Sequence, residues 1–493
     1  MRISELADRY TGNRDGVVVD VDAAGRRREI THAELAERVD ALAETLVSAG
    51  VRTRHVVGIQ AQNSIEWIVW DLAVIAAGAV LQAFPAEMAI DDAFLAKHGL
   101  ALLVTDKPPA AAHPSVLRPA ETPTAAYAAA RRVDDADLHT LVYSSGTSGQ
   151  LKGLLISRKG SERATDRFLT LFRHTAEDVQ LLFLPLANYQ QRLLVYGCLW
   201  VGADVVLAPY DRVFEVMRAE RPTLLLCPPL FYEAAVQRFA ETGGEQSLGG
   251  RVRLAITGMA PIRRATLDAF RDAGINLLEV YGMTECGLIA WNTLDANRIG
   301  TVGRLVDPEA VEIRPDGELL VRPELPLSLG YFQAEAGPAR QTFLADGAIA
   351  TGDLGEVDED GFLRLVGRKK DVIPLGDGRK IHPAEVESLL AAIGGIAEVV
   401  VVPTPGSHRL GALITPATPG DEHLRTEITG GVERINTAMD SPRRITALVF
   451  TQRSLQSDPR FLTKNMKLSR PAAAAYFAEQ LGAPTAVTLA EPT

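Results

Sequence analysis

LVYSSGTSGQLKG, residues 141–153, is a short apolar strand that runs into a loop of serine, threonine and glycine and ends on a lysine. Glycines let a backbone approach an anion closely, while hydroxyl and N–H groups donate to its oxygens. Lys152 adds a point charge at the end of the loop. The spacing is not that of the G-x-x-x-x-G-K-[ST] phosphate loop, because Gly149 stands three residues before Lys152 and Gly153 follows it. Taken alone, the loop fits a phosphate grip of another kind or a solvated turn.

Working outward, short apolar strands alternate with helical segments on both sides of the loop. VVVDVD and GRRREI form a hairpin-like pair near residue 20. Thr31 and Glu34 then make a T-x-x-E capping box, followed by Leu35, Val39, Leu42 and Leu46 on one helical face and a stop at Gly50. VVGIQAQ reads as a strand and Ser64 to Gly78 as a helix. Such alternation implies parallel sheets covered by helices, an α/β fold. Lys107 to Ala130, rich in Pro and Ala, reads as an irregular surface connection. Leu72 to Leu81 is the most apolar run, too short for the ~20 residues of a membrane span, and reads as a buried helix.

Beyond Gly317 the pattern changes to short strands and turns, as in GELLVR and GFLRLVG, which suggests a small twisted β unit. GRKKD, residues 367–371, is a charged turn and sets the expected boundary: a large N-terminal domain over 1–368 and a smaller, mobile α+β domain over 369–493. The latter is expected to hold a helix from Pro383 and the strands AEVVVVP and ALVF.

Composition narrows the class. With 493 residues the chain exceeds one ordinary core. A formal net charge of −11 argues against nucleic acid as the main partner. Cys198, Cys227 and Cys286 show no metal-binding spacing and fit free thiols in a reducing cytoplasm. The opening MRISELADRY is charged, so no signal peptide is expected and the localisation expected is cytoplasmic. Oligomeric state is not readable from the sequence.

The loop at Ser144 keeps company with three further segments, in order: YGMTECG (281–287), ATGDLGEVDEDGFLRLVGRKKD (350–371) and TKNMKLSR (463–470). Together they resemble the ordered signature of the adenylate-forming superfamily of acyl-CoA synthetases, luciferases and peptide-synthetase adenylation domains. The likeness runs from ITHAEL and NSIEW at the front to the final lysine motif. It is nearest to long-chain fatty acyl-CoA synthetases, through LPLANYQQR (184–192), ANRIGTVGR (296–304) and LGDGRKIHP (375–383). The segment between Tyr232 and Arg251, where those enzymes often carry an insertion, is short.

The resemblance implies ATP and Mg²⁺ as cofactors, with a small-molecule acid and an acceptor, by default coenzyme A, as partners. Ser144, Ser145, Gly146, Thr147, Ser148, Gly149 and Lys152 match the loop over the β- and γ-phosphates. Tyr281, with Gly282 and Met283 behind it, would stack on adenine, opposite a wall made by Gly258, Met259, Ala260 and Pro261. Thr284 would touch the α-phosphate and Glu285 would hold Mg²⁺, a hard cation suited to oxygen ligands. Asp353, assisted by Arg368, would take the ribose hydroxyls. Lys467 would bridge the acid and the α-phosphate, reducing the repulsion between two anions. The usual glycine before that lysine is Met466 here. Lys370 matches the hinge about which the small domain turns.

Where many relatives have histidine, this chain has Asn188, followed by Tyr189, Gln190, Gln191 and Arg192. With Trp291 and Asn292, Asn188, Tyr189 and Arg192 mark the expected acid pocket. A polar cluster there is awkward for a long alkyl chain. Two readings stay open: side chains turned to solvent or helix neighbours, or a small or polar acid. The acceptor is likewise open among coenzyme A, an amine giving an amide, and an aryl amine diazotised by adenylated nitrite. An inactive nucleotide-binding relative is the reading of a different class. Intact Lys152, Glu285, Asp353 and Lys467 argue against it.

Overall fold

The computed structural model describes residues 1–6, 16–86, 88–91, 98–107, 116–123, 137–145, 151–332, 340–374, 380–405, 409–455, 458–461, 468–482 and 487–488. Among these, nine strands build one sheet in the order Arg304–Leu305, Gly287–Trp291, Leu277–Met283, Leu254–Thr257, Leu224–Cys227, Val179–Leu182, Asp204–Leu207, Val17–Val21 and Arg27–Thr31. Its centre is parallel and its two edges turn back antiparallel. Strands covered on both faces must be apolar throughout, and Leu224–Cys227, LLLC, is buried at every residue.

A second sheet, of seven strands among the described residues, runs Ser328–Phe332, Leu151–Ser157, Leu138–Ser145, Val80–Ala83, Val56–Gln60, Leu102–Thr105, Val116–Leu117. The helices Ile65–Ala76, Arg158–Phe172 and Tyr189–Val201 share one apolar core with strands of both sheets, through Trp67, Trp70, Phe168, Phe172 and Leu193 against Leu81, Val142, Leu154, Leu182 and Leu224. The N-terminal part is therefore two α/β subdomains pressed together through their helices. Val311–Ile313, Glu318–Val321, Ile349–Val357 and Leu363–Arg368 form a small antiparallel sheet beside them.

The local signals hold in detail. Thr31 caps the helix His32–Ser48 with both bonds of the box, and Leu35, Val39, Leu42 and Leu46 are buried. Other expectations need correction. The apolar run Leu72–Leu81 is no single helix: Gly78 turns the chain, and Val80 begins a strand. Within Lys107–Ala130, Val116–Leu117 adds an edge strand to the second sheet. The small β unit begins at Val311, ahead of Gly317, and Ser328–Phe332 leaves it to pair with Leu151–Ser157.

After Arg368 the chain makes a 3-10 turn at Lys369–Asp371 and enters an α+β unit. There the strands Ile396–Pro403, Leu410–Pro416, Ile445–Phe450 and Val487–Thr488 carry the helices Pro383–Ala391 and Glu422–Ala438. Arg263 of the large domain pairs with Glu233 and donates to the Ala397 carbonyl of the small one at 3.3 Å. Among the described residues, no helix is long and apolar enough to cross a membrane.

Candidate active site

The strand Leu277–Met283 carries Tyr281 into a tight antiparallel return with Gly287–Trp291. Gly282 is required there, because a Cβ would lie 2.5 Å from the Gly287 carbonyl oxygen. The turn between these strands holds Thr284 and Glu285. Gly258 lies beside the same strand, where a Cβ would come within 3.1 Å of the Val280 carbonyl. Met259 follows in the left-handed region at φ 70°, a conformation uncommon for a residue with a side chain, and leads into Ala260 and Pro261. These two segments sit at adjacent strand ends of the large sheet, as a nucleotide crevice requires.

Tyr281 donates its hydroxyl to Asp353 Oδ2 at 2.7 Å, and Arg368 Nε pairs with Asp353 Oδ1 at 2.9 Å. Asp353 and Arg368 lie opposite each other in strand register, and the Thr351 hydroxyl accepts from the Asp353 N–H at 3.0 Å. Burial, and after it the Asp353 charge, pushes the Tyr281 phenol far up, so it stays a donor. The structure thus brings together three expected residues from segments 72 residues apart.

A second constellation forms around Glu285, whose residue is 7% exposed. Its Oε1 accepts from the Tyr331 hydroxyl at 2.9 Å, and Lys152 Nζ stands 4.9 Å from the centre of the Tyr331 ring. Lys152 lies opposite Ser144 in the hairpin that frames the loop, with Ser145 opposite Leu151. Gly146, Thr147, Ser148 and Gly149 lie outside the described residues, as does Lys467. Glu285 suits Mg²⁺: it is a hard, mostly buried oxygen donor, and among the described residues no cationic side chain pairs with it. No cluster of three or more His, Cys, Asp or Glu side chains gathers among those residues, so such an ion would draw its other ligands from phosphate and water.

Of the residues expected in the acid pocket, Asn188 and Trp291 keep some exposure, while Tyr189, Arg192 and Asn292 are engaged elsewhere. Asn188 is exposed at the start of the helix Tyr189–Val201 and makes no side-chain cap, and Trp291 is half-buried. Tyr189 turns inward to donate to Ser161 Oγ at 2.5 Å. Arg192 is a correction. Its side chain is 1% exposed and clamps Asp71, with further bonds to Thr140 Oγ1 and the Tyr196 hydroxyl. A guanidinium so engaged holds the interior together and presents no charge to a pocket. Asn292 is equally engaged, donating to the Glu279 and Thr301 carbonyls and accepting from the Arg298 N–H.

Lys370 stands exposed on the turn after Arg368; what burial its ammonium has lowers its pKa, against the pull of Asp371 and Asp353. Lys369, not singled out in the sequence, fastens that turn to Asp316 and Glu318 at 2.8 and 2.7 Å. Tyr331 was also missed. Its only sequence signal, an apolar strand LSLGYF, does not reveal that the strand pairs with Leu151–Ser157.

Residues 7–326 match the AMP-binding enzyme family and residues 370–483 its C-terminal domain. The chain is 28% identical to the long-chain-fatty-acid–CoA ligase FadD15 of Mycobacterium bovis, over 92% of each chain. It is 31% identical to 4-coumarate–CoA ligase-like 4 of Oryza sativa subsp. japonica, over 82% of this chain and 80% of that one. In fold it is similar to ATP-bound MatB from Rhodopseudomonas palustris, with TM-score 0.78 and 23% identity, covering 98% of this chain and all of that one. It is also similar to the o-succinylbenzoate CoA synthetase of Bacillus subtilis in complex with its acyl-adenylate, with TM-score 0.75 and 22% identity, covering 95% and 97%. The ordered motifs and the two assembled constellations agree with these likenesses: the chain belongs to the AMP-binding enzymes, the adenylate-forming ligases of acyl-CoA synthetase type.

Proposed function

We propose that the chain joins a carboxylic acid to coenzyme A in two steps at one site. The carboxylate oxygen attacks the α-phosphorus of ATP and pyrophosphate leaves, giving an acyl-adenylate. The coenzyme A thiol then attacks the acyl carbon, loses its proton to solvent, and AMP departs with the anhydride oxygen. The observation that carries this reading is Asp353, bracketed by Tyr281 and Arg368, with Glu285 on the turn that follows Tyr281 and joined through Tyr331 to Lys152.

Each residue has a task in it. Asp353 takes the ribose hydroxyls while Tyr281 and Arg368 hold its carboxylate in place. Tyr281 and the Gly258–Pro261 segment enclose adenine. Thr284 donates to the α-phosphate, and the 144–152 loop with Lys152 holds the outer phosphates. Bound Mg²⁺, held by Glu285, would neutralise phosphate charge as pyrophosphate leaves. Lys467 bridges the two reacting anions, and Lys370 is the hinge that exchanges adenylation for transfer.

Tyr189 and Arg192 face the interior, so the polar case for a small acid falls back on Asn188, Gln190 and Gln191. The test is therefore a panel: fatty, aryl and small polar acids and nitrite, with ATP and Mg²⁺, read by pyrophosphate release. Coenzyme A and amines follow as acceptors, read by product mass. Acid-dependent release is expected with at least one carboxylate, and its absence across the panel overturns the reading. Lys467→Ala should abolish release while ATP still binds.

A further inference from the structure

Ser328–Phe332 reaches the site by an indirect route. It leaves the small antiparallel sheet and pairs with Leu151–Ser157, the strand that follows the phosphate loop, with Tyr331 opposite Leu154 and Phe332 opposite Gly153. The fit is close, since a Cβ on Gly153 would lie 3.2 Å from the Phe332 Cβ. The strand grips the Glu285 turn twice. The Ser328 N–H donates to the Glu285 carbonyl at 3.1 Å, and the Tyr331 hydroxyl donates to Glu285 Oε1 at 2.9 Å. Phe343 packs edge-on against the Tyr331 ring with centroids 5.1 Å apart, which fixes the plane of that ring. Lys152 Nζ lies 4.9 Å from the ring centre, within cation–π range.

We propose that Tyr331 is a positioning residue for adenylation: its hydroxyl holds Glu285 in one rotamer for a divalent cation, and its ring parks Lys152 until phosphates arrive. The inference rests on the functional reading of Glu285 and Lys152 given above. A carboxylate on a flexible side chain samples several rotamers, and one fixed donor on Oε1 selects one, leaving Oε2 to the cation. A phenol with its ordinary pKa of about 10 is protonated at neutral pH, so the hydroxyl donates. A lysine held on an aromatic face stays partly desolvated and close to the loop it serves.

The readout is ATP binding without acid, by calorimetry, titrated with Mg²⁺. Tyr331→Phe keeps the ring and loses the donor. It should raise the half-saturating Mg²⁺ by about 3- to 10-fold, the scale of one typical net hydrogen bond, with the melting temperature of the nucleotide-free protein held. Tyr331→Leu also loses the ring and should weaken ATP at saturating Mg²⁺ by about a further threefold. In a Glu285→Ala background, Tyr331→Phe should change nothing more. If Tyr331→Phe does not fold, Phe343→Leu, which loosens the ring alone, should move the half-saturating Mg²⁺ the same way.

If Glu285→Ala shifts the Mg²⁺ dependence and Tyr331→Phe does not, the proposal falls and the reading of Glu285 stands. Silence from both variants overturns the two together. An effect of Tyr331→Phe that persists without Glu285 also overturns the proposal, because the hydroxyl then acts elsewhere.

Discussion

The large domain holds the same three residue types twice, an aspartate gripped by an arginine and a tyrosine, and the two sets behave as opposites. Asp353, Arg368 and Tyr281 stand at the edge of the small sheet, where the Arg368 side chain is 37% exposed. Asp71, Arg192 and Tyr196 lie between the two large sheets, with side chains 1% and 4% exposed for the arginine and the aspartate. In the second set burial keeps His139, 3.4 Å from the Tyr196 hydroxyl, neutral, with the Arg192 charge adding to the effect. The charges there are those of Asp71 and Arg192, and Thr140 completes the fork. The same chemistry holds the fold where all three groups are sealed from water, and on the proposed reading it is left to a ligand where the arginine stays open to solvent.

The largest effect expected follows from breaking the buried set. Arg192→Ala leaves the Asp71 carboxylate buried without its partner and should cost about 3–5 kcal/mol of unfolding free energy. Urea denaturation measures it, and the double replacement Asp71→Asn with Arg192→Met should recover most of the loss. A cost under about 1 kcal/mol would falsify the clamp. The matching break in the less sealed set is Asp353→Ala. On the proposed function it removes charged hydrogen bonds to the ribose, so ATP binding should weaken about 10- to 100-fold while the urea midpoint scarcely moves. An Asp353→Ala protein that unfolds early yet binds ATP normally would reverse the comparison.

How much of this was legible depends on separation along the chain. The capping box of Thr31 and Glu34 spans three residues and forms as read. YGMTE and TGD could be placed because each motif is local and their order is characteristic. The partnership of Tyr331 with Glu285 spans 46 residues and depends on which sheet one strand joins. Arg192 and Asp71 are 121 residues apart, and their neighbours decide what they do. A signal was available at Asp71, a lone acid inside the otherwise apolar stretch of IVWDLAVIA, which demands a buried cation. Arg192 follows the helix start by one turn and looks like a pocket residue until that partner is known.

Glu279 sharpens the comparison as a carboxylate with neither arrangement. It lies two residues before Tyr281, accepts from the Gly300 N–H, and among the described residues pairs with no arginine or lysine. Burial pushes its pKa up to about 7. The folded state therefore holds a proton that the unfolded chain releases near pH 4.5. Stability from this group is full below about pH 4.5 and is lost as pH rises through about 7. Glu279→Gln keeps an acceptor and removes the ionisation. It should therefore gain about 3 kcal/mol over the parent at pH 8 and about 1 kcal/mol or less at pH 5, checked by denaturation at both values. A gap that shrinks with rising pH would show that Glu279 has an ionic partner.

The finest test deletes one hydroxyl from each set. Tyr196→Phe takes a 2.7 Å donor from Asp71, deep inside, so its cost should appear in stability, about 1–2 kcal/mol, with ATP affinity unchanged. Tyr281→Phe takes a 2.7 Å donor from Asp353 but keeps the ring that the proposed function sets against adenine, so its cost should appear in ATP affinity, about two- to fivefold. A carboxylate has about four acceptor positions, so the tyrosine and the ribose need not compete for Asp353. Tighter ATP binding by Tyr281→Phe would mean that they do, and that Tyr281 stands in for the ribose while the site waits for nucleotide. Equal losses of stability in both variants would mean that the two sets differ in place and not in kind.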